Sequence, residues 1–272
     1  MLYILAQSRE KGSGSMRETE GKYDPSCRGV PDRRAGTALV TGASRGIGLA
    51  IAQALAADGW NLVLTCSQTV EEMETAALAI SEQSGVRVRC RCCDMGDSAS
   101  VRDLFGDIRA LDLLVNNAGI AWYGLLQDMT DGEWDRILSV NLSSVFYTCR
   151  AAIPIFLQRG SGRIINISSV WGNAGASCEA AYSASKGGVN ALTKALAKEL
   201  APSGIPVNAI ACGCVDTQMN RHLNMEERAS LSGEIPAGRF AEPEEIAACV
   251  LHLARMPSYL TGQIITVDGG WT

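Results

Sequence analysis

The chain has 272 residues, of which 47% are hydrophobic, and a formal net charge of −5. This length and composition suffice to bury a large core, so we expect one α/β domain. The acidic balance and the lack of Lys/Arg clusters argue against nucleic acid and anionic membranes as partners. No apolar run reaches the roughly 18 residues that span a bilayer, and residues 1–6 are too short for a signal-peptide core. A cytoplasmic location is therefore predicted.

Residues 1–36 are predicted to be a flexible extension, because from residue 7 onward this stretch is rich in Gly, Ser, Pro and charged residues without an apolar period. The ten cysteines raise the question of disulfides or a metal, and Cys90 and Cys93 have C-x-x-C spacing. Their segment alternates like a strand, no second C-x-x-C follows, and the chain has two histidines. Buried reduced thiols and no metal are predicted.

The folded part begins with a pattern that is typical of phosphate binding. Residues 37–41 form a short apolar run, and the glycine turn 42–48 leads directly into a helical run from Leu49. Glycines let a backbone approach a ligand closely, and a helix N-terminus presents unpaired N–H groups to phosphates. A tight turn without a ligand is the alternative. The turn residues assigned to a cofactor are Gly42, Ser44, Arg45, Gly46, Ile47 and Gly48.

The end of the second predicted strand, residues 61–65, bears on the choice of cofactor. In dinucleotide-binding folds an acidic residue at this position binds the ribose 2′-hydroxyl, and a basic residue nearby accommodates a 2′-phosphate. Here Cys66 and Ser67 follow the strand, and Arg45 can supply the positive charge. We therefore predict NADP(H), with Ser67 among its contacts.

Helices and strands alternate along the rest of the chain, which predicts a single doubly wound Rossmann-type domain at 37–272, with a mainly seven-stranded parallel sheet flanked by helices. A Ser N-cap beside Asp97 is expected to start the helix at 98–108. The polar, irregular stretch at about 214–241 is predicted to be a mobile lid. The remaining predicted helices are 70–83, about 133–158, 182–200 and 243–254, and the remaining strands are 86–95, 111–115, 162–169, 205–210 and 263–267.

The asparagine motif at 116–119 and the single residue Asn141 each allow two interpretations. Residues 116–119, Asn-Asn-Ala-Gly, close the strand at 111–115 and either stabilise a turn or line a cofactor pocket. Asn141 lies between Val140 and Leu142, where an amide needs an internal hydrogen bond. It is a functional candidate or a satisfied core amide.

Three side chains suited to proton transfer are predicted to converge. Ser169 ends the strand at 162–169, while Tyr182 and Lys186 are four residues apart and so share one helical face. A neighbouring ammonium is expected to lower the phenol pKa, and a hydroxyl can hold a carbonyl oxygen near the phenol. The pattern Tyr-x-x-x-Lys alone also arises by chance on amphipathic helices.

Together these motifs resemble the short-chain dehydrogenase/reductase family over residues 37–270, particularly its 3-oxoacyl-acyl-carrier-protein reductases. The resemblance implies a catalytic set of Asn141, Ser169, Tyr182 and Lys186. Tyr182 would be the general acid, Ser169 would orient the carbonyl, Lys186 would bind the nicotinamide ribose, and Asn141 would hold a proton-relay water. The further cofactor contacts that it implies are Cys93, Asp94 and Met95 at the adenine, then Asn117, Ala118, Gly119, Gly213, Val215 and Thr217.

By the same resemblance, the protein is expected to reduce a ketone to an alcohol with NADPH and to form a homotetramer through paired long helices. The chain departs from the family at two positions. Cys212 replaces a usual proline, which should loosen the turn beside the nicotinamide without removing chemistry. Ser203 stands where acyl-carrier reductases tend to have arginine, which argues against an acyl-carrier substrate. The run 175–183 is instead similar to reductases of an aminopentanone group on elongation factor P. Glu179 would then bind a cationic substrate, or it is a solvated loop carboxylate. A rival from another class is a cofactor-sensing regulator without catalysis.

Overall fold

The computed structural model describes residues 36–68, 70–221 and 223–272. Over these residues one parallel sheet has the strand order β3-β2-β1-β4-β5-β6-β7. The predicted doubly wound architecture and its seven-stranded sheet are therefore confirmed. The strands are β1 (Thr37–Val40), β2 (Asn61–Cys66), β3 (Val88–Cys92), β4 (Leu113–Asn116), β5 (Arg163–Ser169), β6 (Val207–Cys212) and β7 (Ile264–Val267).

Helices cover both faces of the sheet, because strands buried on two sides need an apolar layer on each. One core cluster joins the sheet to the helices at 46–57, 70–84 and 243–255, and the other joins it to those at 98–106, 144–159 and 180–200. The described helices are α1 (Gly46–Ala57), α2 (Val70–Ser84), α3 (Ser98–Gly106), α4 (Asp131–Leu138), α5 (Ser144–Arg159), α6 (Trp171–Ala174), α7 (Ala180–Leu200), α8 (Met225–Glu234) and α9 (Pro243–Arg255).

The strand order fixes where a ligand can bind. From β1 the chain builds outward through β2 and β3, and then returns to place β4 on the other side of β1. The loops after β1 and β4 therefore diverge and leave a crevice at the carboxyl edge of the sheet. The glycine turn follows β1, and residues 116–119 begin at the end of β4, so both predicted motifs lie at this crevice.

Helices α4 and α5 are joined by a π-helical turn, Ser139–Ser143. Contrary to the expectation that no apolar run is long enough to span a bilayer, the combined stretch Asp131–Arg159 is long and apolar enough by length and composition alone. Its residues Val145, Ala152 and Phe156 are buried in the core cluster against the sheet. A core helix meets the same length and composition test, so the stretch is weak evidence for a membrane span.

Three sequence-based predictions need correction. The N-cap of α3 is Asp97, whose carboxylate accepts from the backbone N–H groups of Ala99 and Ser100, and Ser98 is the first helical residue. The stretch predicted to be an irregular lid contains α8, which begins with a capping box between Asn224 and Glu227. The described cysteines are free, as expected, but not all are buried. The predicted extension lies outside the described residues, apart from Gly36.

Candidate active site

A cavity of about 970 Å³ opens at the carboxyl edge of the sheet, where the cofactor and the substrate were both expected. Two predicted site residues, Gly48 and Asn141, do not line it, whereas Glu179 does. The predicted site residues that line the cavity are Gly42, Ser44, Arg45, Gly46, Ile47, Ser67, Cys93, Asp94, Met95, Asn117, Ala118, Gly119, Ser169, Tyr182, Lys186, Gly213, Val215 and Thr217.

The glycine turn has the geometry of a phosphate cradle. Gly42 and Gly46 have φ angles of 65° and 53°, which favour glycine, and a Cβ on Gly48 would lie 2.2 Å from the Gly42 carbonyl oxygen. The buried Gly48 thus allows the turn to close, which explains why it contacts the turn rather than the cavity. No side chain caps the first turn of α1, so its N–H groups can serve a bound phosphate. These residues fit the pyrophosphate of a dinucleotide.

Residues 117–119 line the cavity, and Asn117 and Ala118 also support the glycine turn, so the two interpretations of this motif are compatible. The Asn117 side-chain amide donates to the carbonyl oxygens of Thr41 and Gly42, at 2.9 and 3.0 Å. The Thr41 hydroxyl accepts from the backbone N–H groups of Asn117 and Ala118. Asn116 instead points into the sheet core and donates to Asn166 at 2.9 Å.

At the end of the cavity predicted for adenosine, one carboxylate is already paired. Asp94 accepts two hydrogen bonds from Arg136, at 2.9 and 3.1 Å, and one from the backbone of Gly96. The Arg136 hydrogen bond is the main cause that holds the pKa of Asp94 below its usual range. Arg45 lines the same cavity with an exposed side chain, and Cys66 and Ser67 lie at the end of β2. The pairing of Arg136 with Asp94 gives no local signal in the sequence, because the two residues are 42 positions apart.

The predicted catalytic side chains meet in one volume. Ser169 is the last residue of β5, and its hydroxyl hydrogen-bonds the Tyr182 phenol from α7. One helical turn further on, the Lys186 ammonium nitrogen lies 5.6 Å from the centre of the Tyr182 ring. That nitrogen donates to the main-chain oxygen of Ile167 at 2.9 Å. The four-residue spacing therefore places phenol and ammonium side by side, as predicted.

Burial has the largest influence on the pKa values of Tyr182 and Lys186. Burial raises the pKa of Tyr182 above its ordinary value, with smaller contributions from Cys212 and Glu179, and the Ser169 hydrogen bond only partly opposes this shift. Burial also lowers the pKa of Lys186 to about 8. The prediction that Lys186 lowers the tyrosine pKa stays a prediction, because burial has the largest influence on the phenol. Desolvation of the phenol outweighs other influences, and the ammonium is hydrogen-bonded to Ile167.

Asn141 is a buried amide whose side chain has hydrogen-bond partners within the core, and it does not line the cavity. It lies in the π-helical turn, accepts from the Ile120 backbone N–H at 2.8 Å, and donates to the Ile120 oxygen and the Ser185 hydroxyl. A Cβ on Gly119 would lie 3.5 Å from Asn141 Oδ1 and 3.6 Å from Lys186 Nζ. Asn141 and Lys186 therefore flank the same glycine, while the water relay between them stays a prediction.

The lining of the cavity includes aromatic and acidic residues without a role predicted from the sequence. Tyr123, Trp171 and Trp271 contribute aromatic rings, and Glu234 adds a second carboxylate to Glu179. Burial is the largest cause that raises the pKa of Tyr123 to about 12, and the charge of Glu179 is the second largest. Single aromatic residues in separate segments give no periodic signal, so the contact of Trp171 with Trp271 is visible only in the folded chain.

A parallel sheet with a glycine-rich turn, combined with adjacent serine, tyrosine and lysine side chains, defines an oxidoreductase that uses a nicotinamide dinucleotide. The family model described as short chain dehydrogenase matches residues 36–228. The chain therefore belongs to the short-chain dehydrogenase family, as the sequence motifs predicted.

Individual proteins resemble the chain over most of its length. It is 42% identical to the 3-oxoacyl-[acyl-carrier-protein] reductase FabG of Salmonella typhimurium over 238 residues, 86% of this chain and 96% of that protein. It is 40% identical to the uncharacterized oxidoreductase YmfI of Bacillus subtilis over 237 residues, 86% of this chain and 98% of that protein. A solved structure from Agrobacterium tumefaciens, assigned as a gluconate dehydrogenase, has a TM-score of 0.83 and 32% identity, covering 89% and 98% of the two chains.

Proposed function

We propose that the protein reduces a ketone to a secondary alcohol with NADPH, using Tyr182 as the general acid. The main support is that Ser169, Tyr182 and Lys186 line the same cavity as the glycine turn. A substrate carbonyl and a nicotinamide can therefore meet beside a proton donor. The similarity to FabG proteins, which are named as 3-oxoacyl reductases, supports reduction of a carbonyl group.

A nicotinamide dinucleotide held at the glycine turn, residues 42–48, would supply the hydride that reduces the carbonyl carbon. The Ser169 hydroxyl donates a hydrogen bond to the carbonyl oxygen and holds it beside Tyr182. Tyr182, kept protonated by burial, transfers its phenolic proton to that oxygen. The Lys186 ammonium stabilises the negative charge left on the phenol oxygen, and it also binds the nicotinamide ribose. A water held near Asn141 returns the proton through Lys186.

The preference for NADPH over NADH rests on charge near the ribose. Cys66 and Ser67 offer no carboxylate to a 2′-hydroxyl, and the exposed Arg45 can pair with a 2′-phosphate. Asp94, which the family resemblance assigns to the adenine, is paired with Arg136. A 2′-phosphate would therefore meet a cation in Arg45 and a neutralised carboxylate.

Two substrates share this chemistry. A 3-oxoacyl group on acyl carrier protein is one candidate, as the FabG relatives are named for it, but Ser203 is exposed where such reductases tend to have arginine. An aminoketone, such as an aminopentanone group on elongation factor P, is the second. Glu179 and Glu234 in the cavity lining favour it, because carboxylates and aromatic rings attract an ammonium group.

The deciding experiment measures NADPH oxidation by the purified full chain with a panel of ketones, including an aminoketone and an acetoacetyl thioester. Turnover of any ketone supports the reductase proposal. Binding of NADPH without turnover of any ketone would favour the cofactor-sensing regulator. A protein-borne ketone should be included, since a substrate displayed on a partner can depend on contacts outside the cavity.

The assembly and the location also remain proposals. Phe146 on α5 is 45% exposed, and Arg150 lies over its ring at 4.7 Å. An exposed aromatic residue on a long helix suits pairing with a second copy, as in the predicted homotetramer. Size measurement in solution, with Phe146→Glu as the disrupting variant, tests the pairing. A cytoplasmic location stays a prediction.

A further inference from the structure

Two tryptophans distant in sequence contact each other in the lining of the cavity, and the first of them lies beside Ser169. The rings of Trp171 and Trp271 are 4.8 Å apart between centroids, at an interplanar angle of 63°, and both residues line the cavity. The edge-to-face geometry is a favourable one for aromatic pairs. The backbone N–H of Trp171 also donates to the Ser169 hydroxyl oxygen at 3.2 Å. The pair therefore begins directly beside the residue that would hold the substrate carbonyl.

The position of Trp271 is fixed by the turn that carries it. The Asp268 carboxylate accepts from the backbone N–H groups of Gly270 and Thr272, at 2.9 and 2.8 Å, and from the Thr272 hydroxyl at 3.0 Å. A turn with three such hydrogen bonds holds the intervening Trp271 in a defined direction. Gly213, at the predicted nicotinamide end, packs against the same turn, since a Cβ there would lie 2.7 Å from the Asp268 Cβ.

The same turn is tied to the segment that follows α8. The Gly269 carbonyl oxygen accepts from the Ala237 backbone N–H at 3.1 Å. A Cβ on Gly269 would lie 2.9 Å from the side chains of both Ile235 and Ala237, so the two segments are in close contact. The turn that carries Trp271 is thus packed against the segment after α8, and this packing opposes displacement of the turn by a large substrate.

We propose that Trp171 and Trp271 together determine specificity by limiting the size of the substituent on the ketone. This inference rests on the proposed reductase function and adds a substrate class to it, namely ketones with short or compact chains. A long chain would have to displace one indole ring from its partner and from the supporting turn. A short chain leaves the pair undisturbed and reaches Ser169 without that cost.

The test compares kcat/KM for two 3-oxo esters that differ only in chain length, ethyl 3-oxobutanoate and ethyl 3-oxodecanoate. Trp271→Ala should raise the ratio of long-chain to short-chain kcat/KM on the order of tenfold, because the space left by the indole accepts several methylene groups. Trp171→Ala should act in the same direction. The double variant should gain no more than the larger single effect, since the two rings contact each other. Tyr259→Ala, which removes a 99% exposed ring outside the cavity, is the matched control.

Two conservative variants keep the test decisive if an alanine variant does not fold. Trp271→Phe should retain most of the discrimination, and Trp271→Leu should retain less. Equal losses on both esters, or an unchanged ratio in every folded variant, would overturn the inference while leaving the reductase proposal intact. Failure of the wild type to reduce either ester or any ketone of the panel would instead remove the proposed function on which the inference rests.

Discussion

The ammonium nitrogen of Lys186 lies 5.6 Å from the centre of the Tyr182 ring, and its hydrogen bond goes to the main-chain oxygen of Ile167. Lys186 is almost fully buried, at 4% exposure, and burial lowers its pKa to about 8. A charged group thus remains in the core at neutral pH. A buried charge lowers the stability of the folded protein, and such charges are found mainly at functional sites.

The lysine should therefore leave a pH signature in stability. Above its folded pKa of about 8 and below the ordinary 10.5, the unfolded chain binds a proton at Lys186 that the folded chain lacks. This contribution makes the wild type more stable as pH rises. Relative to Lys186→Met, the wild type should gain on the order of 2 kcal/mol in free energy of unfolding between about pH 7 and about pH 9.5.

Urea unfolding at the two pH values measures this gain. Lys194→Met, on the exposed side of the same helix, is the control for removing a lysine from α7. A difference between Lys186→Met and the wild type that stays constant with pH would show that Lys186 does not titrate as its burial requires.

Cofactor choice should change with one residue at the end of β2. Replacing Cys66 with Asp places a carboxylate where a 2′-phosphate is proposed to lie, so it repels NADPH and can bind the 2′-hydroxyl of NADH. The ratio of kcat/KM for NADH to that for NADPH should rise by about tenfold or more. Cys92→Asp is the matched control, because Cys92 pairs with Cys66 in register but does not line the cavity. A wild type with kcat/KM for NADH at least as high as that for NADPH would contradict the proposed preference for NADPH.

Substrate charge should be recognised by Glu179. This carboxylate lines the cavity and raises the pKa values of Tyr123, Tyr182 and Cys214 through its charge, which places it close to all three. Glu179→Gln should lower kcat/KM for an aminoketone by about tenfold while leaving that for an acetoacetyl thioester unchanged or higher.

The control for this substitution is Glu199→Gln, an exposed carboxylate on α7 outside the cavity. If the wild type prefers the thioester and Glu179→Gln changes neither value, the acyl-carrier substrate is favoured and Glu179 has no role in selection.

Local patterns predicted most of the fold and the centre of the site. Apolar runs alternating with helical periods are properties of short segments, so they located the strands, the glycine turn and the spacing of Tyr182 and Lys186. Helix α8 was missed because its apolar period is weak, although Asn224 and Glu227 form a readable capping box. The pairing of Trp171 with Trp271 depends on packing across 100 residues, which no local pattern encodes.

The shifted pKa values could not be predicted for a related reason. The sequence shows that an ammonium and a phenol are neighbours, but not how deeply either is buried. Burial acts on the two groups in opposite directions, since it raises the tyrosine pKa and lowers that of the lysine. The balance between desolvation and charge is set by the surrounding fold.

The most direct test of the proposed reaction is the turnover of Tyr182→Phe with NADPH and a ketone that the wild type reduces. The substitution removes the proton donor and leaves the glycine turn unchanged, so kcat should fall by at least about a hundredfold while NADPH still binds with wild-type affinity. Tyr259→Phe, at an exposed tyrosine outside the cavity, should keep full activity. Retention of more than a few per cent of kcat by Tyr182→Phe would contradict the role of Tyr182 as the general acid.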